Sequence, residues 1–228
     1  MELRVVSWNV HGFRAGVGDV AGVVETLSPD VVLMNECGTQ RQVESLADRL
    51  GLQAVHASLP WRFIQAPRNA VFAKAPWKIV DVDGRGYSKA GGSQPRGVVV
   101  AGLLGPGDAR ATAVATHLGL HKGERVVHAG ELLQMVDGQP FPAFVGGDFN
   151  ELPQGPSVRA MINAGLVDAW DAAEPGAEGM TYPADEPTAR IDYLFVPDRV
   201  RVERVEVADT AAAIAGSDHR PLVVDVAW

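Results

Sequence analysis

The chain has 228 residues, of which 46% are hydrophobic and 21% are charged. This composition supports one substantial core and excludes an intrinsically disordered chain. The net charge of −8 argues against a non-specific nucleic-acid binder, which usually carries a basic face. No stretch approaches the roughly 18 uninterrupted apolar residues of a membrane span, and the first residues do not resemble a signal peptide. We therefore expect a cytoplasmic, single-domain protein over residues 1–228, without stable membrane association or an obligate protein partner.

Short apolar runs rich in Val predict strands, and apolar stripes with helical spacing predict helices between some of them. The predicted strands cover residues 3–8, 31–35, 70–73, 97–104, 111–116, 143–146, 191–196, 202–207 and 222–226. The predicted helices cover residues 19–27, 40–50, 123–136 and 157–164. Hairpins predicted over 97–116 and 191–207 argue against an all-parallel sheet. The pattern favours an α/β protein with two packed, mostly antiparallel sheets and helices outside.

The positive charge is concentrated in one segment of this acidic chain. Residues 61–97 hold seven basic side chains against two acidic ones, Asp81 and Asp83. The basic ones are Arg62, Arg68, Lys74, Lys78, Arg85, Lys89 and Arg96. The segment forms either a local surface that faces an anion or a chance cluster on a solvated face.

Polar residues at the ends of predicted strands are the main signal of chemistry, because sites often form where rigid elements meet loops. Glu36 follows the apolar run 31–34, where an unpaired carboxylate is costly. Hard cations such as Mg²⁺ take oxygen ligands of this kind. Glu36 is therefore a candidate metal ligand, although an ordinary strand-end Glu explains the residue equally simply.

The segment Gly146-Gly147-Asp148-Phe149-Asn150 places a carboxylate and an amide on either side of an aromatic residue. In an extended backbone Asp148 and Asn150 point the same way while Phe149 points to the core. This pair suits activation of a water together with a hydrogen bond to a phosphoryl oxygen. An Asx-rich turn is the alternative.

Histidines provide the third signal. In Ser217-Asp218-His219, a protonated His219 can stabilise the charge of a phosphoryl transition state, and Asp192 is a candidate carboxylate partner for its ring. Asp218 is a candidate metal ligand. His117 ends a predicted strand and is either a second phosphate-facing imidazole or a core histidine. The remaining histidines are expected on the surface or in loops: His11, His56, His121 and His128.

Seven short segments, in this order along the chain, resemble the motifs of the endonuclease/exonuclease/phosphatase superfamily, which includes deoxyribonuclease I. They are Ser7-Trp8-Asn9-Val10, Asn35-Glu36, Arg68-Asn69-Ala70-Val71-Phe72, Thr116-His117-Leu118, Gly147-Asp148-Phe149-Asn150, Arg190-Ile191-Asp192-Tyr193 and Ser217-Asp218-His219. The resemblance spans nearly the whole chain. It implies a four-layered α/β sandwich with the site at one end of two packed sheets.

The resemblance also implies roles for single residues. Glu36 would be the main ligand of Mg²⁺ or Mn²⁺, with Asn9 and Asp218 nearby. Asp148 would handle the proton of the attacking water, Asn150 would orient water or phosphate, and His219, held by Asp192, would polarise the phosphate. The other implied residues are His117 as a second catalytic histidine and Asn69 as a contact to phosphate or to a residue that touches it.

The sequence departs from the superfamily pattern near His117. The position where some nucleases carry an acid for this histidine falls in Gln94-Pro95-Arg96, which has none, so the role of His117 stays open. Arg68 and Arg96 are candidates for substrate binding, because basic side chains interleaved with the aromatics Trp61, Phe63 and Tyr87 can hold nucleotides.

The function expected from these features is metal-dependent hydrolysis of a phosphoester, most simply a phosphodiester, with DNA as the first candidate substrate. The net charge favours instead a phospholipid headgroup or a small phosphorylated metabolite. A non-catalytic binding module on the same scaffold is the alternative from another class. Retention of Glu36, Asp148, Asp192 and Asp218 favours an enzyme.

Overall fold

Two six-stranded sheets pack face to face in the computed structural model, which describes residues 1–56, 69–89 and 94–228. The strands are β1 Glu2–Asn9, β2 Val31–Asn35, β3 Gln53–His56, β4 Ala70–Ala73, β5 Lys78–Gly86, β6 Gly97–Leu104, β7 Arg110–His117, β8 Ala143–Asp148, β9 Leu166–Asp168, β10 Asp192–Pro197, β11 Arg201–Val207 and β12 Leu222–Ala227. The helices are α1 Val17–Leu27, α2 Gln40–Leu50, α3 Lys122–Asp137, α4 Pro156–Asn163, α5 Ala169–Ala173 and α6 Ala211–Gly216.

Each sheet has one parallel pair of strands near its centre, and its other pairs are antiparallel. The first sheet has the order β11-β12-β1-β2-β4-β3, with β1 parallel to β2. The second has the order β5-β6-β7-β8-β10-β9, with β7 parallel to β8. These parallel pairs bring together the carboxyl ends of two neighbouring strands in each sheet, which is where the polar motifs lie.

Three apolar clusters among the described residues separate four layers. One lies between the sheets and includes Leu33 and Leu194. A second packs the outer face of the first sheet against α1, α2 and α6, and a third packs the second sheet against α3 and α4. The predicted four-layered sandwich with helices outside is confirmed.

Local signals explain why the predicted helices form where they do. Helix α2 begins after Thr39, whose side chain accepts from the backbone N–H of Gln42 in a reciprocal capping box. It ends at Gly51, which has φ 63°, a conformation that costs glycine nothing. The sequence predicted both ends of this helix correctly.

One predicted hairpin, over residues 191–207, is wrong. Strand β10 pairs with β8 and β9 in the second sheet, whereas β11 pairs with β12 in the first. The turn after Pro197 leads to Val200, which is buried in the cluster between the sheets. The chain therefore crosses from one sheet to the other at a point where the sequence reads as a simple turn. The other predicted hairpin forms, as β6 and β7.

The basic segment does not form one face among the described residues. Lys78 pairs with Leu104, at the end of the second sheet away from His117, and Lys74 follows the far end of β4. Arg85 packs on α3, where its Nε donates to the Met135 sulfur, while Arg96 is buried. Arg62 and Arg68 lie outside the described residues. In the part of the chain that the structure describes, no helix is long and apolar enough to span a membrane.

Candidate active site

Side chains from both sheets meet at the carboxyl ends of the two parallel strand pairs. Strand pairing sets Asn9 beside Asn35 in the first sheet, and His117 beside Asp148 in the second. Asp192, at the start of antiparallel β10, lies opposite Asp148. Strand register alone therefore places the predicted motifs at one end of the molecule.

Asp148 is the centre of this group. Its Oδ2 accepts a hydrogen bond from Asn9 Nδ2 at 3.1 Å and lies 3.1 Å from His117 Nε2 and 3.8 Å from His219 Nε2. Its Oδ1 accepts from the backbone N–H of Asn150. Burial disfavours the charge, but the two imidazoles and this N–H outweigh it and lower the pKa of Asp148. The side chain is therefore a carboxylate at neutral pH.

His219 forms a buried pair with Asp192. The ring Nδ1 donates to Asp192 Oδ2 at 2.8 Å, and Thr181 Oγ1 donates to the same oxygen at 2.6 Å. Burial lowers the pKa of His219, but the charge and hydrogen bond of Asp192 outweigh it, so the pKa rises to about 10. His219 is thus an imidazolium whose Nε2 is directed towards Asp148.

His117 lies in the site and is not only a core residue. Its Nε2 is 3.1 Å from Asn150 Nδ2 as well as from Asp148, and its Nδ1 is 3.9 Å from Glu36 Oε1. The acidic neighbours missing from the 94–96 segment are therefore supplied by Asp148 and Glu36.

Glu36, Asn9 and Asp218 offer oxygen atoms at the wall of the same pocket. Glu36 has φ 52°, and its carboxylate is partly exposed with no hydrogen-bond donor among the described residues. Ser217 Oγ donates to the Asn9 carbonyl at 2.6 Å, which fixes Asp218 beside Asn9. Such a set of hard oxygen donors, in which Glu36 accepts no hydrogen bond from the described residues, fits Mg²⁺ or Mn²⁺.

A second group of possible ligand atoms belongs to Asp148, Asp192 and His219, which lie within 4.8 Å of one another. In the structure His219 Nδ1 donates to Asp192 Oδ2, and His219 Nε2 lies 3.8 Å from Asp148 Oδ2, so these three side chains form a hydrogen-bonded charge network.

The pocket has a volume of about 220 Å³ and contains most of the predicted site residues. Its described lining consists of Asn9, His11, Glu36, Arg96, His117, Leu120, Asp148, Asn150, Tyr182, Ile191, Asp218 and His219. Arg96 is 6% exposed, and its Nε donates to the Leu118 carbonyl. Burial lowers the pKa of Arg96, and the nearby negative charges of Glu36 and Asp148 oppose this shift.

The candidate substrate-binding residue Asn69 stands apart from the pocket. Asn69 is buried, with its Oδ1 accepting from Asn35 Nδ2 and its Nδ2 donating to the Gly97 carbonyl. It joins the two sheets behind the site and does not line the pocket. Arg68 lies outside the described residues.

The expectation that His128 lies on the surface or in a loop is wrong, whereas His11 does lie in the short turn after β1 but belongs to the pocket. His11 lines the pocket, with its Nδ1 3.2 Å from Asp218 Oδ1 and its backbone at φ 46°. His128 is buried on α3, where its Nδ1 accepts from the Gly119 N–H. The helical stripe Glu124, His128, Leu132 could have indicated the burial of His128, whereas nothing local indicated the position of His11.

Comparison with known proteins agrees with this arrangement. A sequence profile of the Endonuclease/Exonuclease/phosphatase family matches residues 6–219. A comparison of the sequence with curated proteins gave no match.

Solved structures share the fold. An endonuclease/exonuclease/phosphatase family protein from Bacteroides thetaiotaomicron is 20% identical, with a TM-score of 0.86 over 99% of this chain and 97% of that one. A mannosyl-6-phosphatase from the same organism is 20% identical, with a TM-score of 0.85 over 99% of this chain and all of that one. The human Nocturnin catalytic domain with bound sulfate is 20% identical, with a TM-score of 0.81 over 99% of this chain and 94% of that one.

The profile match covers all the motifs from β1 to His219, and the sheets, the four layers and the position of the polar cluster agree with it. The chain belongs to the endonuclease/exonuclease/phosphatase family and has the fold of a phosphoester hydrolase.

Proposed function

We propose that this protein is a Mg²⁺- or Mn²⁺-dependent hydrolase that cleaves a phosphoester with a water molecule. The observation that carries the proposal is the convergence of two imidazoles and one amide on Asp148, in a pocket that Glu36 and Asp218 also line. This set combines hard oxygen ligands, a proton acceptor and cationic donors in one pocket.

Glu36, Asn9 and Asp218 would hold the cation, with Glu36 as its main ligand. A bound divalent cation polarises a phosphoryl oxygen and stabilises negative charge on the leaving oxygen. Asn9 also donates to Asp148 Oδ2, so the proposed metal ligands and the proposed base are held in a fixed relation.

Asp148 would take the proton from the attacking water. It suits this role because it stays ionised and because Asn9, His117 and the Asn150 backbone fix its oxygens. Asn150, whose side-chain amide lies beside His117, would orient the water or a phosphoryl oxygen.

His219 and His117 would face the phosphate. The His219 imidazolium donates one proton to Asp192, so its Nε2–H is free to donate to an oxygen that gains negative charge in the transition state. Asp192 acts as a positioning residue, since it holds the ring and stabilises its charge. Arg96 supplies a further positive charge to the pocket.

As the substrate we propose a small phosphoester. DNA is the first candidate from the sequence, but the structure favours the smaller ester. A nuclease needs a basic track along the nucleic-acid backbone. Among the described residues, Lys74 and Lys78 lie at the opposite end of the molecule, and only Arg96 among the lysines and arginines lines the pocket. The small volume of the pocket points the same way.

The test is metal-dependent turnover. The protein is stripped with EDTA and assayed with Mg²⁺ or Mn²⁺ on 4-nitrophenyl phosphate, bis(4-nitrophenyl) phosphate, plasmid DNA and sphingomyelin. The proposal expects turnover that needs the cation and that changes little with ionic strength on the preferred substrate. Absence of hydrolysis with every cation and ester would reject it, and a steep loss of activity with salt on DNA would restore the nuclease assignment.

A further inference from the structure

Two exposed apolar side chains stand at the mouth of the pocket, in contrast to its charged floor. Leu120 and Tyr182 line the pocket and are 59% and 38% exposed. The half-buried Ile191 adds to the same lining. Single exposed apolar side chains are common on a protein surface, but two at the mouth of one charged pocket point to a ligand with an apolar part.

Both exposed side chains stand on backbone that is held in place. The Leu120 carbonyl accepts a hydrogen bond from Arg125, which also pairs with Glu151 at 2.9 Å. Tyr182 forms a two-way bridge with Ala189, and its ring centroid lies 4.8 Å from that of His219. The apolar surface is therefore fixed next to a side chain that we place at the phosphate.

We infer that the substrate is a phosphoester whose organic group is apolar and at least the size of an aromatic ring, and that this group packs on Leu120 and Tyr182. This inference rests on the proposed function, because it uses His219 and Arg96 to place the phosphate in the pocket. Ligand sites commonly combine a few fixed polar groups with apolar walls in this way. A sugar phosphate or an inositol phosphate, whose ring carries several hydroxyls, would bury less apolar area on these two side chains.

The test compares benzyl with methyl esters, because the two alcohols are similar leaving groups and differ mainly in apolar area. If the enzyme prefers monoesters, the two substrates are benzyl phosphate and methyl phosphate. If it prefers diesters, they are benzyl 4-nitrophenyl phosphate and methyl 4-nitrophenyl phosphate. We expect wild-type kcat/KM to favour the benzyl ester by about tenfold, from the apolar area that the ring buries. Leu120→Ser and Tyr182→Ala should each reduce this preference to about threefold or less.

Val127→Ser is the matched control, because Val127 is 49% exposed on α3 and does not line the pocket. It should keep the benzyl preference of the wild type. Equal kcat/KM for the two esters in the wild type, or a preference that survives in both pocket variants, would overturn the inference.

A binding measurement separates this inference from the proposed function. Benzylphosphonate should bind about tenfold more tightly than methylphosphonate by calorimetry, and this difference should fall in Leu120→Ser. If no ester is hydrolysed, the proposed function fails, and the phosphonates then decide the inference: tighter binding of benzylphosphonate supports it, and equal affinities overturn it.

Discussion

Asp148 contacts four of the residues to which a chemical role is assigned: Asn9, His117, Asn150 and His219. It receives a hydrogen bond from Asn9 on the first sheet and lies within 4 Å of both His117 and His219. These three contacts use Oδ2, and the Asn150 N–H holds Oδ1, so the position of the carboxylate is set by the same groups that would act on the substrate. The effects of substitutions in this set should therefore not be additive.

His219→Gln should lower kcat by roughly 10²–10⁴-fold, because the variant loses the cationic donor to the phosphate while keeping a side chain of similar size. Steady-state kinetics with the preferred cation measures this. His121→Gln is the control, since His121 is exposed and lies outside the pocket. Wild-type kcat in His219→Gln would remove His219 from the mechanism.

Asp192→Asn should lower kcat by roughly 10–10²-fold and change KM little, because Asp192 acts through His219 and does not reach the substrate. Thr181→Val removes a different hydrogen bond to Asp192 and should have a smaller effect on kcat. Denaturation of both variants gives the folded fraction. A loss of stability with unchanged kcat per folded molecule would mean that the pair is only structural.

The sequence predicted most of the candidate site because its residues lie next to apolar strands, at the carboxyl ends of the strands or, for His219, shortly before β12. Asn9, Glu36, His117, Asp148 and His219 could all be named in this way, and the structure brings them into one pocket. His11 could not, because its place depends on Asp218, which is distant in the chain, and on a left-handed backbone. Their catalytic and metal-binding roles stay predictions.

At the scale of elements, Glu151 joins the loop after β8 to two helices. Its Oε2 accepts from the backbone N–H of Ser157 at 2.9 Å, at the start of α4, and its Oε1 accepts from Arg125 on α3. The tight approach of Gly155 to Glu151, where a Cβ would lie 2.0 Å from Glu151 Cγ, completes this packing. These contacts anchor the residue that directly follows Asn150.

Glu151→Gln should lower the free energy of unfolding by roughly 1–3 kcal/mol at pH 7. Burial alone would raise the pKa of Glu151, but hydrogen bonds from Ser157 and Arg125 outweigh it and hold the pKa below its ordinary 4.5. A carboxyl group whose pKa is lower in the folded than in the unfolded state stabilises the fold fully at pH values above the unfolded-state pKa. This stabilisation is lost as the pH falls through the folded-state pKa.

Urea denaturation at several pH values tests this linkage. The difference between wild type and Glu151→Gln should be constant well above pH 4.5 and shrink below it. Glu178→Gln, at an exposed position, should show no such difference. A difference between wild type and Glu151→Gln that is the same at pH 7 and at pH 3 would contradict the role assigned to this carboxylate.

The sequence missed strands mainly at the edges of the sheets. β3, β5 and β9 are the edge strands that apolar runs did not indicate, and β5 is exposed along almost its whole length. An edge strand with one solvated face lacks the continuous apolar run that marked the central strands. The short helices α5 and α6 were missed as well, because five or six residues do not show a helical period.

At the scale of the whole molecule, the assembly of the site depends on how closely the two sheets approach each other. Gly146 on β8 faces β1 and β2, and a Cβ there would lie 2.7 Å from Leu33 Cδ1 and 3.0 Å from Ser7 Oγ. The absence of a side chain lets the sheets meet closely enough for Asn9 to reach Asp148. The site therefore depends on the distance between two sheets that local sequence does not reveal.

Gly146→Ala should destabilise the protein by roughly 1–3 kcal/mol, because the added methyl group overpacks the space between the sheets. Gly130→Ala is the matched control, since a Cβ at this exposed α3 position meets nothing within 4 Å. It should be neutral or stabilising by up to about 1 kcal/mol. Urea denaturation measures the stability of both variants from their midpoints, provided that the free energy of unfolding depends on urea with the same slope in each. An unchanged midpoint in Gly146→Ala would contradict the proposed close packing.

The wrong hairpin at 191–207 shows the limit of sequence at this scale. The pattern identified β10 and β11 as strands, but β10 joins the second sheet through β8, which lies well before it in the chain, whereas β11 joins the first sheet through β12, which follows it. The fold class could still be predicted, because the order of apolar runs and helices restricts the layer arrangements that bury every apolar face.

The most direct test of the account measures turnover of the preferred ester against Mn²⁺ concentration for EDTA-treated wild type, Glu36→Gln and Asp148→Asn side by side. Loss of the main ligand should raise the Mn²⁺ concentration for half-maximal activity by roughly tenfold or more in Glu36→Gln. Asp148→Asn should keep the midpoint near that of the wild type and lower maximal turnover by roughly 10²–10⁴-fold. Wild-type midpoint and turnover in both variants would contradict a shared, cation-dependent hydrolytic site.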